Sequence, residues 1–454
     1  MSAGEFYRER DQRSLECGAL TDALKRPVVV IAGNDAEHTL AGQVVLLALA
    51  NLLARVHRQV AFVLSSSDVP LRVWSMLDGP TLADAIINTM RAIDPYGRFE
   101  VQTTIGDDVV KLGVGNVRER TAFTVGVIGT EVSLGSAPIT IADPPRPLAV
   151  LAGGFAACLG AAAIYRAVHS QPPMPHVRMS AWNLGPSDGP SRSGPAKVVD
   201  VVDVGDVVMV GAGAVAAALA YWIRQIGVTG NWHAVDGDRV KLHNTNRGML
   251  FLPVHAGWVN GVLTESCADF KTSVIAEVLG ATPHPAWYQD WVRGTRPHYD
   301  LILPLANEHG VRHAIASLYE PILIHASTSQ AGAALLHRHI PGRDDCLDCR
   351  LPGKKMQFEC STAVVEAEDG TSTDAALPFL SAMAGLMLTS ALLRLQAGEL
   401  ASATNNLVVW NLLAKQSIHT AGLYSCDDAC ASLQVPAEVR RTLNQGKRWF
   451  DLGR

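Results

Sequence analysis

The start of this chain holds no apolar run long enough for a secretion leader. MSAGEFYRERDQRSLECG mixes charges of both signs, which argues against export and for a cytoplasmic protein. A strong charge of either sign is missing too. With 38 Lys and Arg against 43 Asp and Glu, the net charge is −5, and that balance gives no reason to expect nucleic acid as a partner. A clean membrane span is also lacking. Residues 148–165 (LAVLAGGFAACLGAAAIY) and 375–393 (AALPFLSAMAGLMLTSALL) are rich in Ala, Gly and Ser. Both are short of or barely at the roughly 20 residues a span needs, so they read as buried core helices. Eight cysteines in a chain with otherwise intracellular features do not make a disulfide framework; they point to metal or catalysis.

What is present is a globular composition, 48% hydrophobic and 18% charged over 454 residues, enough for two or three domains. The most informative stretch is 207–247, VVMVGAGAVAAALAYWIRQIGVTGNWHAVDGDRVKLHNTNR. An apolar run enters Gly211-Ala-Gly213, and residues 214–226 follow as an apolar helix. A helix starting after such a turn aims free N–H groups and the positive end of its dipole at phosphate. The next strand, 230–235, ends in Asp236, placed to reach the ribose hydroxyls of a nucleotide. A dehydrogenase would satisfy this much equally well, and Ala216 stands where a third glycine would be.

Two close cysteine pairs, Cys346/Cys349 and Cys426/Cys430, suit a closed tetrahedral structural zinc site. The alternative is reduced thiols on loops. Cys17, Cys158 and Cys267 read as structural, and His337 and His339 as satisfied surface or core residues. Residues 27–32, 33–38, 39–56 and 59–64 repeat the strand, turn, helix, strand order with one glycine in the turn and no acidic pair after the second strand. This suggests two related α/β halves, of which only the second keeps phosphate chemistry. The Gly-, Pro- and Ser-rich stretch 182–197 reads as a surface crossing between them.

The segment Asp236-Gly-Asp238-Arg-Val-Lys-Leu-His-Asn244-Thr-Asn-Arg247 resembles the D-x-D-x-V-x-x-x-N-x-x-R signature of the superfamily of ubiquitin-activating enzymes and sulfur-carrier adenylyltransferases. The resemblance implies two Rossmann-like adenylation folds paired as a pseudo-dimer: an inactive half over 1–180, a linker over 181–200 and an active half over 201–454. It implies ATP on Gly211, Gly213, Asp236, Asp238, Asn244, Arg247 and Lys271, with Asp236 at the ribose and Asn244, Arg247 and Lys271 at the phosphates. Asn307 occupies the place of the family's magnesium-binding aspartate, with Glu308 beside it as the substitute carboxylate for Mg2+. A polar helix over 5–24 carries Arg10-Asp-Gln-Arg13, whose second arginine would reach the partner half's nucleotide site. The first cysteine pair, a crossover loop over 352–374, a long apolar helix and the second pair follow in the family's order. Cys360 in that loop is the implied nucleophile, with Lys354 and Lys355 favouring its thiolate and Glu359 opposing it.

The function expected from the resemblance is ATP-dependent adenylation of the C-terminus of a ubiquitin-like protein, then thioester formation on Cys360. The partners implied are a ubiquitin-like protein with an exposed tail and a conjugating enzyme. A homodimer is compatible, and neither nucleic acid nor membrane is called for. The alternatives are a sulfur-carrier adenylyltransferase and a non-catalytic scaffold.

Overall fold

The computed structural model describes residues 1–16, 21–102, 109–187, 189, 194–196, 202–329, 332–350, 365–366, 372–373, 377–414 and 417–453. Helix α1 (Ala3–Glu16) comes first, shorter than the 5–24 span expected, since 23–25 form a separate 3-10 turn. Strand β1 (Val28–Ala32), the short α2 (Asn34–His38), α3 (Leu40–Val56) and β2 (Gln59–Val63) then follow in the expected order. Next are α4 (Leu82–Ile93), β3 (Arg98–Gln102), β4 (Val110–Val114), β5 (Phe123–Ile128), β6 (Glu131–Gly135), β7 (Ile141–Ala142), α5 (Arg146–Val168) and β8 (Val177–Ser180). The sheet runs β3-β2-β1-β4-β5-β6-β8, with β7 beside β5. Its first five strands are parallel, and β6 runs antiparallel to both its neighbours, β5 and β8.

The second region repeats the opening order. Strand β9 (Asp203–Val210) leads to α6 (Ala214–Ile226) and β10 (Thr229–Val235). A hairpin of β11 (Trp258–Val259) and β12 (Val262–Leu263) is followed by α7 (Lys271–Leu279), β13 (Thr282–His284), α8 (Tyr288–Trp291), β14 (Leu301–Pro304) and α9 (His309–Ala316). The parallel sheet is β13-β10-β9-β14, so both sheets place their strands in the order third, second, first, fourth. In an open sheet of this kind the ligand crevice lies at the C-terminal ends of the first and fourth strands, where the order reverses. Strands β15 (Leu323–Ser329), β16 (Ala333–His339), β19 (Leu407–Asn411) and β20 (His419–Gly422) form a separate antiparallel sheet. Between them lie α10 (Leu347–Arg350), the hairpin β17 (Val365–Glu366) and β18 (Ser372–Thr373), and α11 (Pro378–Gln396). Helices α12 (Ala431–Gln434) and α13 (Ala437–Asn444) close the chain.

The two long apolar helices, α5 and α11, are buried within the protein and pack on each other. Glycines make that contact close. A Cβ at Gly154 on α5 would come 2.7 Å from Leu386, and one at Gly385 would meet Ala218 of α6 at the same distance. One hydrophobic cluster therefore runs through both regions, from Phe6 to Ile418. The connection read as a surface crossing begins inside it. Trp182 is 1% exposed and Leu184 fully buried; the Trp182 indole donates to Glu399 at 2.8 Å and the Leu184 carbonyl accepts from Trp410 at 2.9 Å. An indole and an isobutyl group in a polar stretch gain more by entering the neighbouring core than by lying on its surface.

Candidate functional site

At the end of β9 the chain turns through Gly211, whose φ of +98° and whose missing Cβ, which would lie 2.5 Å from the Ala306 nitrogen, admit only glycine. The Asp236 carboxylate ties the turn together. One oxygen accepts the Ala212 N–H at 2.7 Å and the other the Asp238 N–H at 2.8 Å. Gly213 caps α6, and among the described residues nothing beyond its chain neighbours and the helix's own backbone lies within 4 Å of the point where its Cβ would be. The start of the helix, residues 213–215, is half-buried.

Lys271 opens α7 and is 9% exposed. Its ammonium pairs with Asp238 at 2.5 Å, and its backbone N–H donates to the Asp238 carbonyl at 3.0 Å. Glu308 stands at the N-cap of α9. Its carboxyl is raised above the usual carboxylate range, first by burial and then by the negative Asp236 and Asp238, with Lys271 opposing. Asp236, Asp238, Lys271 and Glu308 thus share one electrostatic neighbourhood. Asn307 beside them is exposed. A positive charge near Glu308 would relieve the repulsion it feels from Asp236 and Asp238. Asn244 is 6% exposed, and its side-chain carbonyl accepts the Lys241 N–H at 2.8 Å, closing the turn that leads to Arg247. Trp287, which was not singled out from sequence, is 48% exposed and lays its ring beside Gly237, where a Cβ would lie 2.8 Å from the indole. A flat aromatic face next to the aspartate loop suits a purine. Its sequence signal was the aromatic cluster Trp287, Tyr288 and Trp291 just past the third strand.

The loop after Arg247 is held from the other half of the chain. Arg55, at the end of α3 and fully buried, donates to the carbonyls of Thr245, Met249 (2.6 Å) and Phe251 (2.9 Å). Asn51, one turn back, donates to Met249 at 3.0 Å and accepts from Arg55 at 2.8 Å. A buried arginine spent on backbone carbonyls fixes a loop that has no regular structure of its own. Asn51 and Arg55, four residues apart in an otherwise apolar helix, were the legible signal. Helix α1 also lies against the 242–244 turn, and its Asp11 accepts from Asn246 at 3.2 Å. Arg10 is not solvated: it is fully buried between Asp11 at 2.6 Å and Asp94 at 2.8 Å. The Arg13 side chain lies outside the described residues.

The equivalent crevice in the first sheet is filled by the chain itself. Asp143 accepts the N–H groups of Leu40 and Ala41, both at 2.8 Å, at the start of α3. Asp35 accepts from Asn116 at 2.9 Å and Ile141 at 2.7 Å, and the buried Glu37 takes both the N–H and the hydroxyl of Ser65 at 2.6 Å. Internal carboxylates occupy the donors that a phosphate would need.

Near the C-terminus the Sγ atoms of Cys346, Cys349, Cys426 and Cys430 lie within 4.8 Å of one another, and the Cys346 N–H points at the Cys426 sulfur at 3.2 Å. Burial pushes the Cys346 thiol up to about 12, so its thiolate would need a cation beside it. The donor set fits zinc. The loop leading to the first pair is fixed by Arg338–Asp344 at 2.7 Å and His337–Asp345 at 2.9 Å, which makes His337 a bonded core residue. His339 is bonded there too, to the Asp344 and Asp345 carbonyls. Cys158 is buried, whereas Cys267, read as structural, is exposed, because the 265–267 turn buries none of its residues. Cys17, Lys354, Lys355, Glu359 and Cys360 lie outside the described residues, as does most of 352–374.

A glycine turn strapped by an aspartate, a downstream Asn-x-x-Arg and a lysine-headed helix define the superfamily of ubiquitin-activating and sulfur-carrier adenylating proteins. Residues 195–431, just over half the chain, match the model of the ThiF family, and the chain belongs to that family. Residues 27–184 match the model of the BilD N-terminal domain. The uncharacterized protein y4jF of Sinorhizobium fredii is 28% identical over 289 residues, 61% of this chain and 52% of that protein; the chain thus spans about half the length of this curated relative. Among solved structures, E. coli MccB with ATP aligns over 51% of this chain and 67% of its own at 14% identity and a TM-score of 0.37. The microcin C7 biosynthetic enzyme MccB with N-formylated MccA aligns over 68% and 97%, at 13% identity and a TM-score of 0.36.

Proposed function

We propose that this protein activates the C-terminal carboxylate of a protein or peptide with ATP, and that its acceptor is a ubiquitin-like protein. A carboxylate oxygen attacks the α-phosphorus of ATP, the bond from that phosphorus to the bridging oxygen breaks, and pyrophosphate leaves with the electron pair. The product is an acyl adenylate. The observation that carries this reading is the shared neighbourhood of Asp236, Asp238, Lys271 and Glu308 beside the Gly213 N-cap of α6. In it, Asp236 accepts from the ribose, Lys271 and Arg247 balance the phosphate charge, and Trp287 faces the base. Magnesium, when bound through Glu308 and the Asn307 carbonyl, neutralises phosphate charge. Arg13 would add a further positive group from α1. The first half acts as the support: it donates Arg55 to the site loop, and its own crevice is filled by Asp143, Asp35 and Glu37.

The test is exchange of labelled pyrophosphate into ATP, with a ubiquitin-like protein that has an exposed C-terminal tail as acceptor. Asp236→Ala should lower ATP affinity about 10- to 100-fold, the worth of a charge-assisted hydrogen bond of about 1.5–3 kcal/mol. Absence of exchange in the unaltered protein would favour a scaffold, the reading that Asn307 in place of an aspartate supports.

The second step we propose is attack by the Cys360 thiolate on the acyl adenylate. A thioester forms, AMP leaves, and the acyl group then passes to a conjugating enzyme's cysteine. Cys360→Ala should retain exchange and lose the reducible acyl-protein band on a gel; a band that persists assigns the thioester to another cysteine.

A further inference from the structure

The residue just before Arg247 is tied to the first half of the chain through its side-chain amide. Asn246 is 1% exposed. Its nitrogen donates to the Asp11 carboxylate of α1 at 3.2 Å and to the Arg55 carbonyl near the end of α3 at 3.0 Å. Both partners only accept, so the orientation of the amide is settled and both of its N–H donors are spent.

Neither partner is loose. Asp11 is fully buried and held by Arg10 at 2.6 Å and Arg58 at 3.2 Å. The Arg55 carbonyl belongs to the last turn of α3, where helical carbonyls lack partners within the helix, and Asn246 supplies a donor there. The Arg55 guanidinium meanwhile grips the carbonyls of Thr245, Met249 and Phe251. Bonds from the first half therefore bracket Arg247, at 245 and 246 before it and at 249 after it. The N–H groups of Arg247 and Gly248 turn back to the Asn244 carbonyl at 3.3 and 2.9 Å. Arg247 is half-buried between the buried Asn246 and Gly248, so the backbone that carries it has little slack.

We propose that Asn246 is a positioning residue for nucleotide binding. By joining α1 and α3 to the turn it holds the Arg247 backbone where the guanidinium meets the phosphates, and docking of α1 becomes a condition for tight ATP binding. The inference rests on the nucleotide reading of the Asp236 site. With its donors spent on Asp11 and Arg55, Asn246 acts through Arg247.

The experiment measures binding of labelled ATP and of labelled adenosine to the full chain by equilibrium dialysis. Adenosine carries the ribose and base but none of the phosphates, so it separates a misplaced Arg247 from a damaged site. Asn246→Ala should weaken ATP about tenfold, within the range of coupling between contacting residues, and adenosine less than about twofold. In the Arg247→Ala background the same change should cost ATP less than about twofold, because the group it positions is gone. Thermal midpoints confirm that each variant is folded; if Asn246→Ala is not, Asn246→Ser, whose hydroxyl is too short to reach both partners, serves in the same comparison. The inference is overturned if the variant binds ATP like the parent, if it loses ATP and adenosine alike, or if the two substitutions add in full. A parent that binds neither ligand overturns the nucleotide reading itself.

Discussion

Glu308 is the residue at which stability and activity pull apart. Its carboxyl is raised from the ordinary value of 4.5 by burial and by its acidic neighbours. In the nucleotide-free protein the neutral form is therefore favoured by folding, and that contribution is present below 4.5 and lost as pH rises through the raised value. Near neutrality the ionised Glu308 works against the fold. Glu308→Gln should consequently raise the thermal midpoint of the nucleotide-free protein at pH 7, with the gain vanishing at pH 4, and should weaken magnesium-dependent ATP binding. Differential scanning calorimetry at the two pH values checks the first part, and calorimetric titration with ATP and magnesium the second. Equal midpoints at pH 7 would mean that neither burial nor the charges of Asp236 and Asp238 weigh on Glu308. Asn307, by contrast, is exposed and uncharged, so as a metal ligand it offers only a neutral carbonyl oxygen.

Helices α3 and α6 occupy the same place in the two sheets and differ at their N-termini. Helix α6 begins at Gly213 with no side chain capping it, whereas α3 begins with Thr39 accepting from Gly42 at 3.2 Å and Asp143 accepting from Leu40 and Ala41. Asp143→Ala removes the carboxylate from a helix start, which costs about 1 kcal/mol through the lost capping bonds and dipole interaction. The thermal midpoint should fall by about a degree in a scan. Equilibrium dialysis should still find a single ATP per chain, because Asp35 and Glu37 continue to fill the crevice; a second bound nucleotide would show that Asp143 alone had closed it. The partner elements α5 and α11 matter in another way. Neither has a polar face, so each is stable only when surrounded, and the glycines at 153, 154 and 385 set how closely their neighbours approach.

Across the whole molecule, three histidines are locked in the neutral form. Burial lowers His57 to about 3 and His339 to about 4, and holds His325 well below its ordinary 6.5. Below pH 6.5 the unfolded chain binds protons at these positions and the native protein does not, so stability is present above that pH and is lost as pH falls. Each contributes a slope of up to about 1.4 kcal/mol per pH unit. Chemical denaturation at pH 7.5, 6.0 and 5.0 should show stability falling a little over the first step and more over the second, and His57→Leu should flatten the drop. An unchanged slope in that variant would place the acid sensitivity elsewhere. His57 sits in the first sheet's region and His325 and His339 in the second antiparallel sheet, yet one continuous core joins them, so the loss should appear as a single transition.

Much of this protein could be read from local pattern. Valine-rich runs, the Gly211 turn and the spacing from Asp236 to Arg247 each depend on neighbours in sequence, and the strand, turn, helix order followed them to within a few residues. The pairing of Cys346 and Cys349 with Cys426 and Cys430 was legible for the same reason, since each pair is local and the second only had to return to the first. What the sequence could not give is any contact whose partners lie far apart along the chain. Arg55 holds carbonyls about two hundred positions away, Asp143 caps a helix that begins a hundred residues before it, and Trp182 leaves a polar stretch to enter a distant core. Side-chain chemistry fixed what each of these groups needed, but only the packing of α5 against α11 and α6 decided which distant atom would supply it.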